Sequence, residues 1–114
     1  MITYSSIRTT LATNRAEIER HVVEVLAPDC AFLVDTVMMD VVHRGISIHS
    51  VMNSVFRVQR DADGQLLAVN FEPDAEGYKE ALIHMEIDRQ PDSALVGDIT
   101  AVLRETVSQV RASK

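Results

Sequence analysis

Tryptophan is absent from this 114-residue chain, aromatic residues make up only 4% of it, and cysteine occurs once. The single cysteine, Cys30, excludes an internal disulfide and indicates a reducing compartment such as the cytoplasm. Eleven basic residues against seventeen acidic ones give a net charge of −6. This charge disfavours nucleic acid as a partner, because phosphate binding needs a basic surface. No apolar run approaches the roughly 20 residues that cross a bilayer, so we expect no membrane partner.

The length of the chain fits a single domain over residues 1–114. Five segments have the composition of β-strands, and they span residues 7–12, 21–27, 46–60, 65–71 and 80–88. The last of these alternates strictly and puts Ile83, Met85 and Ile87 on one face. Residues 61–64 have the composition of a hairpin turn, with Gly64 where a positive φ is favoured.

Two further segments have apolar residues at helical spacing. The first follows Asp29, which we expect to cap the helix, and ends at Arg44 with Gly45 as the C-terminal cap. The second starts with Pro91 at the first helical position and runs to about residue 111. Because each helix has one apolar stripe, we expect both to cover the same face of one sheet.

These elements predict an α+β fold, a two-layer sandwich of ferredoxin-like character. Its sheet is mostly antiparallel, with four to five strands and two helices on one face. The usual closing strand after the second helix is missing. We therefore expect residues 7–12 to take its place beside residues 21–27.

Three stretches carry a resemblance to a known family: PDCAFLVDTVMMDVVHRGISIH (28–49), VFRVQRDADGQL (55–66) and ALIHMEIDRQ (81–90). In their order and spacing they resemble the N-terminal ACT-like region of the large bacterial NAD-specific glutamate dehydrogenases. The similarity covers residues 22–111. The sequence departs from the family at Asn53-Ser54, where His-Pro is frequent, and at Cys30-Ala31, where Met-Pro or a similar pair is usual.

The resemblance implies an ACT-like domain that is part of a much longer chain. It implies a cytoplasmic parent enzyme that converts L-glutamate to 2-oxoglutarate by oxidative deamination with NAD, and no cofactor in this domain. The partners that it implies are other domains or subunits of the parent, a small amino-acid effector, and further copies in a homo-oligomer.

The loop before the first helix is the first candidate site. Its residues are Asp29, Cys30, Ala31, Phe32 and Leu33. The N-terminus of a helix presents amides and a positive dipole end that favour a carboxylate, and similar loops in ACT domains bind amino acids. The alternative is that Asp29 itself occupies those amides as a cap and repels a ligand carboxylate.

Polar residues on the face of the sheet away from the helices form the second candidate site. They are Glu24, His49, His84 and Glu86. A metal site would need three or four of them to converge at about 2 Å from one ion, and their separation in the sequence gives no ligand motif. We expect a docking face for another domain or subunit instead. Arg57 or Arg89 would then partner its acidic groups.

The resulting hypothesis is a non-catalytic domain for regulation or assembly in a glutamate dehydrogenase, with an effector bound near residues 29–33. The alternative is a free-standing homodimeric module that senses amino acids. A small hydrolase or isomerase using His84 and Glu86 is disfavoured, because no long pocket-forming loop is visible in the sequence.

Overall fold

The computed structural model describes residues 6–13, 15, 17–29, 32–72 and 75–112. Five strands and two helices follow one another along the chain. They are β1 (Ser6–Thr13), β2 (Glu19–Pro28), α1 (Leu33–His43), β3 (Ile48–Arg60), β4 (Leu66–Asn70), β5 (Tyr78–Asp88) and α2 (Ser93–Ala112).

The strands form one sheet in the order β1-β2-β5-β3-β4, and each neighbouring pair is antiparallel. This confirms the α+β arrangement predicted from the sequence. Strand β1 pairs with β2 in the place of the closing strand, as predicted, with Arg8 opposite Glu24. Strand β5 lies at the centre, where His84 is opposite Glu24 on one side and Met52 on the other.

Both helices pack on one face of the sheet. The core between the layers consists of aliphatic residues and one methionine: Val23, Val25, Ala27, Leu33, Val37, Val41, Ala81, Ile83, Met85, Ile87, Ile99, Leu103 and Val107. Ile83, Met85 and Ile87 all face the helices and are fully buried, as the strict alternation of β5 predicts. Thr106 of α2 also donates a hydrogen bond to the Asp40 carboxylate of α1, which joins the two helices directly.

The expected cap of α1 is wrong. The N-cap residue is Phe32, at φ 65° and ψ 12°, and its side chain makes no capping hydrogen bond. Asp29 instead continues the sheet, because its amide donates to the Lys79 carbonyl at 3.0 Å, just beyond the end of β2. The helix therefore begins later than residue 29. At its other end Gly45 has φ 75° and donates to the Val42 carbonyl at 2.9 Å, which confirms its predicted role.

The predicted start of α2 is also wrong by two residues. The helix begins at Ser93, because Asp92 acts as its cap. The Asp92 carboxylate accepts a hydrogen bond from the Ala94 amide at 2.8 Å, and its carbonyl accepts from the Val96 amide at 3.4 Å. Pro91 therefore precedes the cap. Strand β5 starts at Tyr78, before the expected residue 80, because Tyr78 and Lys79 still pair with β3.

Candidate functional site

The loop before α1 differs from the predicted site in two respects. Leu33 is buried in the core, so its side chain is not available to a ligand. Phe32 is 75% exposed and adopts a left-handed conformation that bulky residues rarely take. Its carbonyl accepts the amide of Thr36 at 2.9 Å and the Thr36 hydroxyl at 2.8 Å. Cys30 and Ala31 lie outside the described residues.

Two of the four residues predicted for the docking face come together on the side of the sheet away from the helices. We call this side the open face. Glu24 projects from β2 and His84 from β5, with His84 Nδ1 at 3.5 Å from Glu24 Oε2. Arg8 of β1 completes the cluster, with Nε at 3.2 Å from Glu24 Oε1 and a closer contact through Nη2. The cation beside Glu24 is therefore Arg8. The sequence analysis expected Arg57 or Arg89 in this role. Sequence reasoning missed Arg8 because it placed β1 beside β2 without assigning a register.

The electrostatics of this cluster favour an ionised Glu24. The hydrogen bond from Arg8 lowers the pKa of the Glu24 carboxyl, partial burial acts in the opposite direction, and the charge of Arg8 and contact with His84 lower it further. The pKa of Arg8 is raised by the same hydrogen bond and charge. A stable carboxylate held between a cation and a histidine is suited to recognition by charge. It is poorly suited to proton transfer near neutral pH, where a catalytic acid needs a raised pKa.

The other two predicted residues lie elsewhere on the strands. His49 Nε2 is 2.5 Å from Asp88 Oδ1 at the end of the β3–β5 ladder, and this contact lowers the pKa of Asp88. Glu86 lies one row from His84, opposite Val22 of β2 and Ser50 of β3. Of the predicted set, Glu24 and His84 therefore meet in the cluster with Arg8, His49 lies in a separate pair at the strand end, and Glu86 belongs to neither group.

A buried ion pair on the open face was missed by the sequence reasoning. Arg60 Nε and Nη2 each lie 2.9 Å from one oxygen of the Glu80 carboxylate, and Arg60 Nη1 donates to the Gly64 carbonyl at 2.9 Å. The alternation of β5 already places Glu80 on the same face as His84 and Glu86. The signal available in the sequence was therefore the acidic Glu80 near the start of β5 together with Arg60 at the end of the neighbouring strand β3.

No three His, Cys, Asp or Glu side chains among the described residues are arranged to hold a metal ion. In the same part of the chain, neither helix combines the length and apolarity that a membrane crossing requires.

Comparison of the sequence with known proteins identifies a family for this chain. The sequence profile of the family described as "Glutamate dehydrogenase, ACT1 domain" matches residues 4–103. The NAD-specific glutamate dehydrogenase of Halomonas elongata is 37% identical over 93 residues, which is 80% of this chain and 6% of that protein. The protein of the same name from Pseudomonas aeruginosa is 35% identical over 94 residues, again 80% of this chain and 6% of its own length.

No solved structure matches the chain. The chain spans about one-sixteenth of the length of these relatives, and the matched profile covers most of the chain itself. The chain therefore belongs to the family of glutamate dehydrogenase ACT1 domains.

Proposed function

We propose that this chain is a single, non-catalytic regulatory and assembly domain of a large cytoplasmic NAD-dependent glutamate dehydrogenase. The parent would oxidise L-glutamate to 2-oxoglutarate with NAD, and this domain would hold neither substrate nor cofactor. The similarity to two NAD-specific glutamate dehydrogenases, of which the chain matches only 6%, supports a place in a larger enzyme.

The open face of the sheet is the observation that carries the assembly part of this proposal. One face is closed by two helices, while the other presents the Arg8–Glu24–His84 cluster beside the exposed apolar side chain of Met52, which lies opposite His84. Exposed apolar surface next to a fixed charge arrangement is typical of a contact between domains. The partners are then other domains or subunits of the parent enzyme.

The regulatory part depends on the loop at residues 29–33. The N-cap residue Phe32 supplies no side-chain hydrogen bond to helix α1, and amides of the first turn are suited to an anionic group such as an amino-acid carboxylate. Phe32 is strained and exposed at that point, and such strain is frequent at binding sites. An effector bound there would change the packing of the domain on its neighbours, which is sufficient for allosteric coupling.

Calorimetry of the 114-residue chain with a panel of amino acids tests the regulatory part. Heat of binding and a rise in Tm with at least one amino acid are expected. No heat and no rise in Tm across the panel would remove the effector and leave assembly alone.

Charge reversal in the parent enzyme tests the assembly part. Glu24→Lys should change the sedimentation of the enzyme, because it breaks the Arg8–Glu24 pair on the open face. Asp98→Lys, which reverses an exposed charge on α2, is the matched control and should leave sedimentation unchanged. Equal sedimentation of both variants would contradict docking through the open face. A natural gene product close to 114 residues would contradict the place of this chain in a larger enzyme.

A further inference from the structure

Most of strand β3 has a neighbour on one side only. It pairs with β5 from Ile48 to Val58, whereas β4 pairs only with its last four residues, Arg57–Arg60. Within the part of the chain that the structure describes, residues 48–56 therefore have an outer edge without a strand. We name this segment the β3 edge. Backbone groups of a strand alternate in direction, so about half of its amides and carbonyls point away from β5.

The β3 edge has an irregular register between Ile48 and Ser50, and it lacks the charged residues and prolines that usually protect such edges. Exposed edges normally carry lysine, proline or other charged residues, or they are very short. Residues 48–56 contain no lysine, arginine, aspartate, glutamate or proline. The one ionisable residue is His49, which is already paired with Asp88. By comparison, β4 at this side of the sheet is only five residues long, and β1 at the opposite side carries Arg8.

An apolar groove runs beside the β3 edge on the helix side. It lies between the C-terminal half of α1 and the first half of β3, with a volume of about 640 Å³. Its apolar lining consists of Met38, Val42, Ile46, Ile48 and Val51. Val51 and Val55 project from the edge toward this side and remain exposed. A strand added to the edge would direct every second side chain over these valines and into the groove.

We propose that the β3 edge accepts an additional β-strand from another part of the parent polypeptide, whose alternate apolar side chains fill this groove. The proposal rests on the proposed function, since it adds to the open face a second contact between the domain and the rest of the enzyme, at the edge of the sheet. A strand is the occupant because only an extended backbone pairs with a row of alternating amides and carbonyls.

Charge and length distinguish this occupant from a second copy of the chain. Two copies would bring together two net charges of −6, and this repulsion opposes association. Relatives of the chain are more than ten times as long as the matched region, so a strand in the same polypeptide is tethered nearby. Tethering through a short flexible linker supplies an effective concentration on the order of millimolar without any other contact. The occupant is therefore an uncharged or basic extended segment of the parent.

Amide hydrogen exchange, measured on the parent enzyme and on the 114-residue chain at low concentration, tests the proposal. The outward amides of residues 48–56 should exchange more than about tenfold more slowly in the parent, because they gain strand partners there. Residues 57 and 58, which have strand neighbours on both sides, serve as the internal reference. Equal exchange of residues 48–56 in the two proteins would overturn the proposal.

Two substitutions test whether the groove is responsible for the slow amide exchange of residues 48–56 in the parent enzyme. Val51→Lys places a charge at the groove, at a side chain that is 37% exposed, and should restore fast exchange to the β3 edge in the parent. Leu11→Lys is the matched control, since Leu11 is an exposed aliphatic residue on the helix side of β1. It should leave the protection of residues 48–56 intact. Equal effects of the two variants would overturn the role of the groove.

Protection of residues 48–56 that grows with the concentration of the isolated chain would show that a second copy is the occupant, and would also overturn the proposal. A gene product close to 114 residues would refute the proposed function separately, because no parent would then exist to supply the strand.

Discussion

Arg60 and Glu80 form a bidentate ion pair on the open face of the sheet, with Nε–Oε2 and Nη2–Oε1 distances of 2.9 Å. Both side chains are nearly buried, at 9% and 4% exposure. The pair joins the end of β3 to the start of β5. Arg60 Nη1 also donates a hydrogen bond to the Gly64 carbonyl, in the turn that leads to β4. One contact thus fixes the β3–β4 hairpin against the centre of the sheet.

Removal of one partner should destabilise the fold strongly. Glu80→Ala leaves the Arg60 guanidinium buried without its carboxylate, and such changes cost about 3–5 kcal/mol of unfolding free energy. Urea denaturation monitored by circular dichroism measures this loss. Arg8→Ala is the control, because it breaks an ion pair in which the arginine is 68% exposed, and its loss should be much smaller. Equal losses in the two variants would contradict the structural importance of the buried pair.

Replacement of Gly77 should be costly for reasons of backbone geometry. Gly77 has φ 121°, and a Cβ at this position would lie 2.3 Å from the Val58 carbonyl oxygen. Gly77→Ala therefore combines a steric clash with an unfavourable φ that alone costs of order 1–3 kcal/mol. Chemical denaturation should register a loss at or above this range.

Gly97 provides the matched control for that substitution. It lies in α2, and a Cβ there meets no atom within 4 Å. Gly97→Ala should raise the unfolding free energy by about 0.5–1 kcal/mol, because alanine favours helix. A stabilising effect of alanine at both positions would contradict the close approach of Gly77 to β3.

The sequence predicted the parts of the fold that depend on periodicity. The alternation of β5 is sufficient to assign Ile83, Met85 and Ile87 to the core, because burial on one face requires a period of two. The cap of α1 could not be predicted in the same way. Asp29 has the right chemistry, but the β2–β5 ladder extends to its amide and keeps it in the sheet. The pairing of β2 with β5 therefore outweighed the local preference of Asp29 for a cap position.

The site was predictable only in part for a similar reason. Strand alternation identified the face that carries Glu24 and His84, and their contact follows from the register of β2 with β5. Arg8 and the Arg60–Glu80 pair depend on which residues stand opposite one another in other strand pairs, and a single sequence does not specify this. The outer edge of β3 is likewise a consequence of the short β4, which only the completed sheet reveals.

His21 should make stability depend on pH. It is buried, its Nδ1 accepts the Gln90 amide at 2.8 Å, and desolvation, together with the nearby Arg89, lowers its pKa. The folded state therefore keeps His21 neutral at a pH where the unfolded chain binds a proton. Its contribution to stability is fully present above the unfolded pKa of about 6.5 and is lost as the pH falls through that value toward the lower folded pKa.

His21→Asn isolates this effect, because asparagine is polar but does not titrate. Between about pH 7.5 and about pH 5.5 the wild-type chain should lose more unfolding free energy than the variant does. The other three histidines are the same in both proteins, so the difference between the two pH profiles reports on position 21. Parallel pH profiles for the two proteins would contradict a neutral buried His21.

Phe32 should limit the stability of the domain at its candidate effector site. A bulky residue in the left-handed region costs about 1–2 kcal/mol, and phenylalanine cannot cap the amides of α1. Phe32→Asn removes much of this cost, because asparagine tolerates positive φ and has a side-chain oxygen that can accept a hydrogen bond. Its side chain is 75% exposed, so no core contact is lost. The variant should gain about 1 kcal/mol of unfolding free energy, measured by urea denaturation.

Phe71→Asn separates the effect of conformation from that of removing an exposed aromatic ring. Phe71 is exposed to a similar extent, at 73%, but its φ is not positive and its ring lies 5.8 Å from that of Phe56. Its replacement should give no gain in stability. If Phe32 contributes to effector binding, Phe32→Asn should also abolish the heat of binding in calorimetry while Tm rises, a combination that simple unfolding cannot produce. A Phe32→Asn variant no more stable than wild type would show that the left-handed conformation at this position is not a source of strain.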